Sequence, residues 1–194
     1  MTEVLCETDF VARNEKFATF AERLPAMIVN EYAGDGDLAE QVNEREKQPL
    51  VELVAVIGEN MRIRRAVRWE GECFASYLHL GGRIGVLLEA EGCGDTTLLT
   101  DACMHIAAFN PRYISADEVP AGALAKEREI ARAQVQGKPE NIMEKIVAGK
   151  ISKWYSEVCL MQQPWLRDDK TCLAKVAPGL KVKRFRRWAV GEEI

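Results

Sequence analysis

The sequence predicts an α+β protein with two related subdomains. Each is a small antiparallel sheet of about three strands packed with helices, and an antiparallel helical hairpin is inserted in the second. Short segments with alternating apolar residues predict strands, longer segments with apolar residues at helical spacing predict amphipathic helices, and one strand pattern occurs twice. The 194 residues provide enough apolar mass for one or two domains.

The N-terminal part predicts a strand, a helix, a turn and a second helix. Glu3–Glu7 is a short strand, followed by a polar step and then Phe10. Asn14 is a suitable N-cap for a helix whose apolar stripe comprises Phe17, Phe20, Ala21, Leu24, Met27 and Ile28. Gly34–Asp37 predicts a turn. A polar stretch with helical character runs to Gln48. The next helix is predicted to open at Pro49 and to end at Gly58, because proline is favoured at the first helical position and glycine just after the last.

The middle of the chain predicts a three-stranded antiparallel meander over residues 60–91. Its strands are expected at about residues 60–70, 73–80 and 83–91, with Gly81-Gly82 as a two-residue hairpin turn. A helix follows from about Thr97 to Phe109. Asn110-Pro111 is expected to end it, because the residue before a proline disfavours helical geometry.

The C-terminal part predicts two antiparallel helices and a strand. The helices are expected between Ala121 and Tyr155, with a break at Gly137-Lys138-Pro139. One face of the second helix is expected to contain Ile142, Ile146, Val147 and Trp154. A strand from Leu180 to Val190 closes the chain.

An internal repeat organises these elements. The segment Ile63–Trp69 matches Val182–Trp188, and a Gly-Glu pair follows each segment after a short interval. The prediction is an N-terminal core subdomain at 1–58, whose sheet strand 60–71 can complete. Residues 59–120 and 156–194 are expected to form the C-terminal core subdomain, and residues 121–155 the inserted helical hairpin.

Charge and hydropathy disfavour several classes of protein. The chain has 26 basic and 30 acidic residues, a net charge of −4, which disfavours non-specific binding to nucleic acid. We therefore expect no direct nucleic-acid partner. No apolar run is long enough to span a bilayer, and no secretory signal opens the chain. We expect a cytoplasmic protein without a membrane partner.

The cysteines and histidines disfavour metal and nucleophilic chemistry. The six cysteines contain no C-x-x-C pair, which argues against a zinc site. A cysteine nucleophile needs a base close to the thiol, and the chain has only two histidines, His79 and His105. We expect His105 to be a semi-buried helix residue. The expectation is a protein that is not an enzyme and has no metal and no cofactor.

Five segments, in the same order, carry a family resemblance. Val4–Asn14, with the sequence VLCETDFVARN, resembles the signature of the elongation factor Ts family. The other segments similar to that family are Ile57–Arg65, Tyr77–Val86, Met104–Pro111, and Gly137–Pro139 with Gln163–Trp165. The resemblance covers essentially the whole chain. It differs at the start, where the chain lacks the family's three-helix, ubiquitin-associated-like module and the strand expected before Glu3. We expect a shortened chain whose first sheet has an open edge.

The resemblance implies a guanine-nucleotide exchange factor for elongation factor Tu. The partner would be bound in its GDP-bound and nucleotide-free forms, and GDP release would follow from disturbance of the Mg²⁺ and phosphate site. Phe10 would be the wedge that enters the partner. Asp9 would act on the Mg²⁺ side, and Thr8 and Val11 would fix the loop.

Three further residues are implied as partner contacts on the predicted hairpin: His79, Gly82 and Arg83. A histidine in such a position is more often a strand residue with ordinary hydrogen bonds. The resemblance leaves homodimer formation open.

The alternative function is that of an RNA-binding or ribosome-associated module. It rests on a basic cluster with interleaved aromatic residues, which comprises Lys181, Lys183, Arg184, Arg186 and Arg187 with Phe185 and Trp188. Alternation along a strand would divide these charges between two faces. We therefore favour a strand with a solvated charged face.

Overall fold

The computed structural model describes residues 1–92, 95–137 and 139–193. It divides the chain into two compact units. The first contains Met1–Glu72, Leu80–Gly85 and the chain end from Trp188, and the second contains Cys73–His79 and Val86–Arg187. Helices and small antiparallel three-stranded sheets make up the molecule, which confirms the α+β prediction.

The first unit contains a sheet whose strands are all antiparallel and lie in the order β1-β3-β2. In chain order its elements are β1 (Thr2–Cys6), α1 (Asp9–Ala12), α2 (Glu15–Glu31), β2 (Gly36–Asp37), α3 (Ala39–Ile57) and β3 (Met61–Arg68). Cys6 is opposite Met61, and Gly36 is opposite Arg68. The predicted turn at Gly34–Asp37 is therefore wrong at its end, because Gly36 and Asp37 pair with β3 as a short strand.

The predicted meander over residues 60–91 is wrong. β3 pairs with β1 and β2, whereas the next two strands belong to a different sheet. The reason lies in the buried residues of β3. Ile63 and Ala66 pack in a core with Leu24 and Val42 of the helices α2 and α3, and Met61 packs with Phe17.

The two long helices of the first unit, α2 and α3, differ in how well the sequence predicts them. Asn14 caps α2 as expected, since its Oδ1 accepts the N–H of Lys16 at 2.9 Å. Pro49 does not open a helix, because α3 begins ten residues earlier and runs through it. Glu46 lies fully buried in the added part of α3, where its carboxylate pairs with the guanidinium of Arg23. Gly58 ends α3 at a φ of +85°, as predicted.

The second unit contains a sheet of strand order β4-β5-β8. Its elements are β4 (Cys73–His79), β5 (Ile84–Glu91), α4 (Thr96–Phe109), α5 (Ala121–Ala133), α6 (Glu140–Val158), β6 (Pro164–Trp165), β7 (Asp168–Cys172), α7 (Leu173–Val176) and β8 (Lys181–Ala189). The expected two-residue turn between β4 and β5 is a four-residue loop, 80–83. Leu80 also has a positive φ there, +51°, beside Gly81 and Gly82.

Helix α4 has the predicted position and a buried histidine. Asp95 caps its start by accepting the N–H groups of Thr97 and Leu98, and Asn110 ends it at a φ of +47°. His105 is fully buried rather than semi-buried. Its Nε2 lies 3.0 Å from Oε1 of Gln163.

The helical pair α5 and α6 confirms the expected helices, and the buried Val147 with the packed Ile146 confirms part of the expected apolar face of α6. The buried residues are Ala131, Val135, Val147 and Ile151. Ile142 is 45% exposed, because a four-residue spacing from Val147 to Ile151 and on to Tyr155 sets the contact stripe. Lys138, in the predicted break, lies outside the described residues.

The last strand is confirmed, and a preceding hairpin is new. β8 covers the predicted tail, whereas β6 and β7 pair antiparallel without having been predicted. The segment Asp168–Cys172 is mostly exposed and polar, so it has no apolar alternation. Within the described part of the chain, no helix is long and apolar enough to cross a membrane.

Candidate partner-binding site

The segment after β1 folds into a short helical turn, where the sequence predicted only a polar step. Thr8 is the N-cap of α1, and its Oγ1 accepts the N–H of Val11 at 3.3 Å. Ala12 donates its N–H to the Thr8 carbonyl at 3.2 Å. Three of the four candidate residues, Asp9, Phe10 and Val11, therefore lie within a single turn of helix.

A carboxylate from the segment between α3 and β3 holds this turn. Thr8 donates its N–H to Oε2 of Glu59 at 3.1 Å and its hydroxyl to Oε1 at 2.9 Å. Beside it, Asn60 Nδ2 donates to Oε1 of Glu7 at 2.6 Å. Hydrogen bonds to a charged acceptor are stronger than neutral ones. The turn is thus tied at its first residue to a segment 51 residues later.

Val11 and Phe10 occupy opposite environments on this turn. Val11 is buried in an apolar cluster with Phe17 and Met61. Phe10 is 81% exposed. A phenylalanine at the end of a strand is usually a core residue, but this one is not. The Phe10 ring is therefore exposed on a turn that Thr8 anchors before it and Val11 anchors after it.

Asp9 has an exposed, weakly bound carboxylate. Its Oδ2 lies 3.5 Å from a guanidinium nitrogen of Arg13, and both side chains are at least half exposed. Surface pairs of this kind contribute about 0.2–1 kcal/mol. The Asp9 carboxylate can therefore turn to a partner at small cost.

The three hairpin candidates lie at and after the end of β4. His79 is half-buried, and its Nδ1 lies 3.1 Å from the Tyr77 hydroxyl. Gly82 is exposed with a φ of +88°, a conformation that favours glycine. Arg83 is exposed, and its carbonyl accepts the N–H of Val190 at 2.8 Å. Among the described residues, no hydrogen bond or ion pair joins these three to residues 8–11.

Sequence reasoning missed the residues that hold the turn, Glu59, Asn60 and Glu7. The signal that reveals them is the pairing of β1 with β3. Because Cys6 is opposite Met61, the residues that follow Cys6 meet those that precede Met61. The expected meander had assigned β3 to other neighbours and so concealed this contact.

Three of the cysteine thiols have raised pKa values, which disfavours nucleophilic catalysis at these three positions. Burial raises the pKa of Cys103 to about 12, and burial with the Glu118 charge raises that of Cys159 to about 11. Burial and then the charge of Glu59 also raise the pKa of Cys6. The thiolate is the reactive form, so these three thiols are poor nucleophiles. Cys93 lies outside the described residues.

No metal centre is found in the described ranges. They contain no group of three or more histidine, cysteine, aspartate and glutamate side chains that could hold a metal ion.

The basic strand segments have carboxylate partners in both units. In the first unit the buried Glu3 binds Arg65 Nε at 2.5 Å and an Arg64 nitrogen at 3.4 Å. In the second unit the buried Glu89 binds Arg184 Nε at 2.5 Å and Lys183 Nζ at 3.4 Å. Two cations of the C-terminal basic cluster are therefore already neutralised within the protein.

Known proteins match this chain over nearly its full length. A family model for elongation factor Ts matches residues 7–192. The chain is 42% identical to elongation factor Ts of Alcanivorax borkumensis over 208 residues, and the match covers 100% of this chain and 70% of the relative. It is 39% identical to that of Halothermothrix orenii, with the same coverage. It is 42% identical to that of Halorhodospira halophila, with 99% and 68% covered. The chain belongs to the elongation factor Ts family of translation elongation factors.

Proposed function

We propose that this chain is a guanine-nucleotide exchange factor that binds elongation factor Tu in its GDP-bound and nucleotide-free forms. Membership of the elongation factor Ts family supports this partner. The observation that carries the proposal is the exposed Phe10 ring on a turn anchored by Glu59. A large apolar side chain held in water by a fixed backbone is suited to insertion into another protein.

The proposed mechanism uses binding energy and involves no covalent chemistry. An exchange factor must bind the partner with an opened nucleotide site better than the GDP-bound partner, because only that difference shifts the equilibrium. Acceleration of GDP release by about a thousandfold corresponds to a barrier lowered by about 4 kcal/mol. Burial of one phenylalanine provides about 1.5–3 kcal/mol. Phe10 can therefore supply much of this difference but not all of it.

The remaining contributions are assigned to the neighbours of Phe10. Asp9 places negative charge where the partner holds Mg²⁺, whose strict octahedral coordination makes small displacements costly. Thr8 and Val11 keep the turn in position, Thr8 through Glu59 and Val11 through the core. His79, Gly82 and Arg83 are proposed as secondary contacts.

The RNA-binding alternative has less support. Lys183 and Arg184 are paired with Glu89, and the net charge of the chain is −4. Both features reduce the attraction for a polyanion.

The test is release of a fluorescent GDP analogue from elongation factor Tu, with and without this chain. We expect strong acceleration, and we expect Phe10→Ala to reduce it by about ten- to a hundredfold. Val51→Ala is the control, because Val51 is also an exposed apolar residue of the first unit, 58% exposed. Its exchange rate should equal that of the parent chain.

The possible results separate binding from exchange. Acceleration that Phe10→Ala leaves unchanged would contradict the role of Phe10. Binding to elongation factor Tu without acceleration would limit the function to binding. A folded chain that does not bind elongation factor Tu would contradict the proposal as a whole.

A further inference from the structure

A concave groove of about 400 Å³ lies in the second unit, along β8. One wall is formed by five successive residues of that strand, Lys183–Arg187, and the other by Asn110–Ile114 with Glu118. Alternate side chains of a strand point to opposite faces. Five successive residues can therefore line one groove only where it follows the edge of the strand. β8 is an edge strand of its sheet in the described structure.

The groove contains guanidinium groups that have no carboxylate partner. Among the described residues, no ion pair is formed by Arg112, Arg186 or Arg187. Arg187 makes one hydrogen bond, from Nε to the Ala107 carbonyl at 3.2 Å. Arg184 differs, because it is held by the buried Glu89. The groove thus has a positive charge that the protein itself leaves uncompensated.

The single acidic residue of the lining does not neutralise these arginines. Glu118 uses Oε2 to accept the N–H of Ile114 at 3.0 Å, within its own segment.

The main chain along the groove is available for hydrogen bonds. The opposite wall does not pair with β8 within the described residues, because Arg112 and Tyr113 both donate their N–H groups to the Val158 carbonyl, at 2.8 and 3.1 Å. A strand edge presents a row of unpaired N–H and C=O groups. An extended peptide can satisfy such a row by adding a strand.

We propose that this groove binds an extended acidic peptide segment of another protein. The segment adds to the outer edge of β8, and its carboxylates pair with Arg112, Arg186 and Arg187. Nucleic acid fits less well, because single-stranded binding relies on exposed stacking rings, and the aromatic residues of the groove, Tyr113 and Phe185, are half-buried. The site is independent of the turn that carries Phe10.

The test is binding of a fluorescent peptide of about six residues with glutamates at successive central positions, so that an added strand has carboxylates on both faces, followed by anisotropy on the full chain. We expect binding that weakens as salt is raised. The double variant Arg112→Ala with Arg186→Ala should weaken it about tenfold. Arg128→Ala is the control, because Arg128 is an exposed arginine of α5 outside the groove, and it should bind like the parent.

Two further probes test strand addition and ligand class. The same peptide with N-methyl groups on alternate residues keeps its charge but loses main-chain donors, and we expect its binding to fall below detection. Equal binding of both peptides would overturn strand addition. Binding of a short oligouridylate in preference to the peptide would overturn the proposal. Absence of peptide binding at low salt would also overturn it, provided that circular dichroism shows the parent chain and its variants to be folded.

Discussion

Each of the two three-stranded sheets has a buried glutamate that pairs with two basic residues of the repeated segment. In the first sheet Glu3 binds Arg64 and Arg65, and in the second Glu89 binds Lys183 and Arg184. The two basic pairs occupy matching positions in the repeated segments. The repeat therefore preserves a charge arrangement inside each sheet as well as an apolar pattern.

The two copies differ in the segment after the strand that carries the glutamate. After β1 comes the turn with the exposed Phe10. After β5 come Gly92 and then Asp95, which caps α4 directly, and the two residues between them lie outside the described part. A strand can therefore lead into its helix without an exposed phenylalanine. This difference supports a role for Phe10 in binding rather than in folding.

The copies also differ in how deeply the ion pair is buried. The side chains of Arg64 and Arg65 are 15% and 13% exposed, whereas those of Lys183 and Arg184 are 48% and 34% exposed. Glu3 also accepts the N–H of Gly191 at 3.0 Å. Loss of the glutamate should therefore be more costly in the first sheet.

The largest expected effect is the loss of stability on removal of either buried glutamate, and it should differ between the two sheets. Glu3→Ala leaves two largely buried guanidinium groups with Glu192 as their remaining partner, and it should lower the free energy of unfolding by about 3–4 kcal/mol. Glu89→Ala should cost about 1–3 kcal/mol, because water can reach its two cations. Urea denaturation of both variants gives the comparison.

The control for this pair is Glu44→Ala, since Glu44 is an exposed residue of α3. Its free energy of unfolding should stay within about 0.5 kcal/mol of the parent value. Equal losses in the Glu3 and Glu89 variants would show that burial does not determine the cost.

The next effect sharpens the contrast between Phe10 and its neighbour Val11. Val11→Ala should lower the free energy of unfolding by about 2–3 kcal/mol, because it opens a cavity in the core. Phe10→Ala should change it by less than about 0.5 kcal/mol, because the ring is in water. Thermal unfolding of both variants tests this. A destabilised Phe10 variant would show that Phe10 has a structural role.

A smaller effect concerns the anchor of Thr8 in the first copy. Thr8→Val keeps the shape of the side chain but removes its N-cap to α1 and its hydroxyl bond to Glu59. We expect a loss of about 0.5–2 kcal/mol in unfolding free energy, together with slower GDP exchange. Thr8→Ser, which retains the hydroxyl, should restore both properties. Failure of that rescue would contradict the anchoring role.

The smallest expected effect is the pH dependence contributed by α4, whose buried histidine has no counterpart in α2. Burial lowers the pKa of His105 from 6.5 and outweighs the hydrogen bond with Gln163. The unfolded chain therefore binds this proton more readily than the folded protein. The contribution of His105 to stability is complete above the unfolded pKa and declines as the pH falls through it.

Urea unfolding between about pH 7.5 and about pH 5 measures this decline. His105→Gln should flatten the profile in that range. An identical slope in the variant would assign the pH dependence to other groups.

Local patterns predicted those elements whose stability is local. Asn14 marks the start of α2, and Gly58 marks the end of α3, because a side-chain cap and a positive φ are properties of a single position. The helix start predicted at Pro49 was wrong for a related reason. Its local preference for a helix start was overcome by packing in the preceding half of α3, where Val42 and Glu46 are buried.

The candidate site residues are proposed from the family resemblance, and their geometry could not be predicted from the sequence. The resemblance identified Thr8, Asp9, Phe10 and Val11, and a local pattern could not show which of them would be exposed. That Phe10 points to water and Val11 to the core depends on Phe17 and Met61, which come from other elements.

The sequence by itself determined the class of the fold, most helices and strands, the repeat and the family. These follow from periodicity, caps and motifs, which act over a few residues. Only the tertiary structure decided that β3 lies between β1 and β2, that Glu59 holds Thr8, and that each basic strand binds a buried glutamate. These contacts join residues far apart in the chain. Their stability comes from the burial of apolar surface, which occurs only when the distant elements pack together.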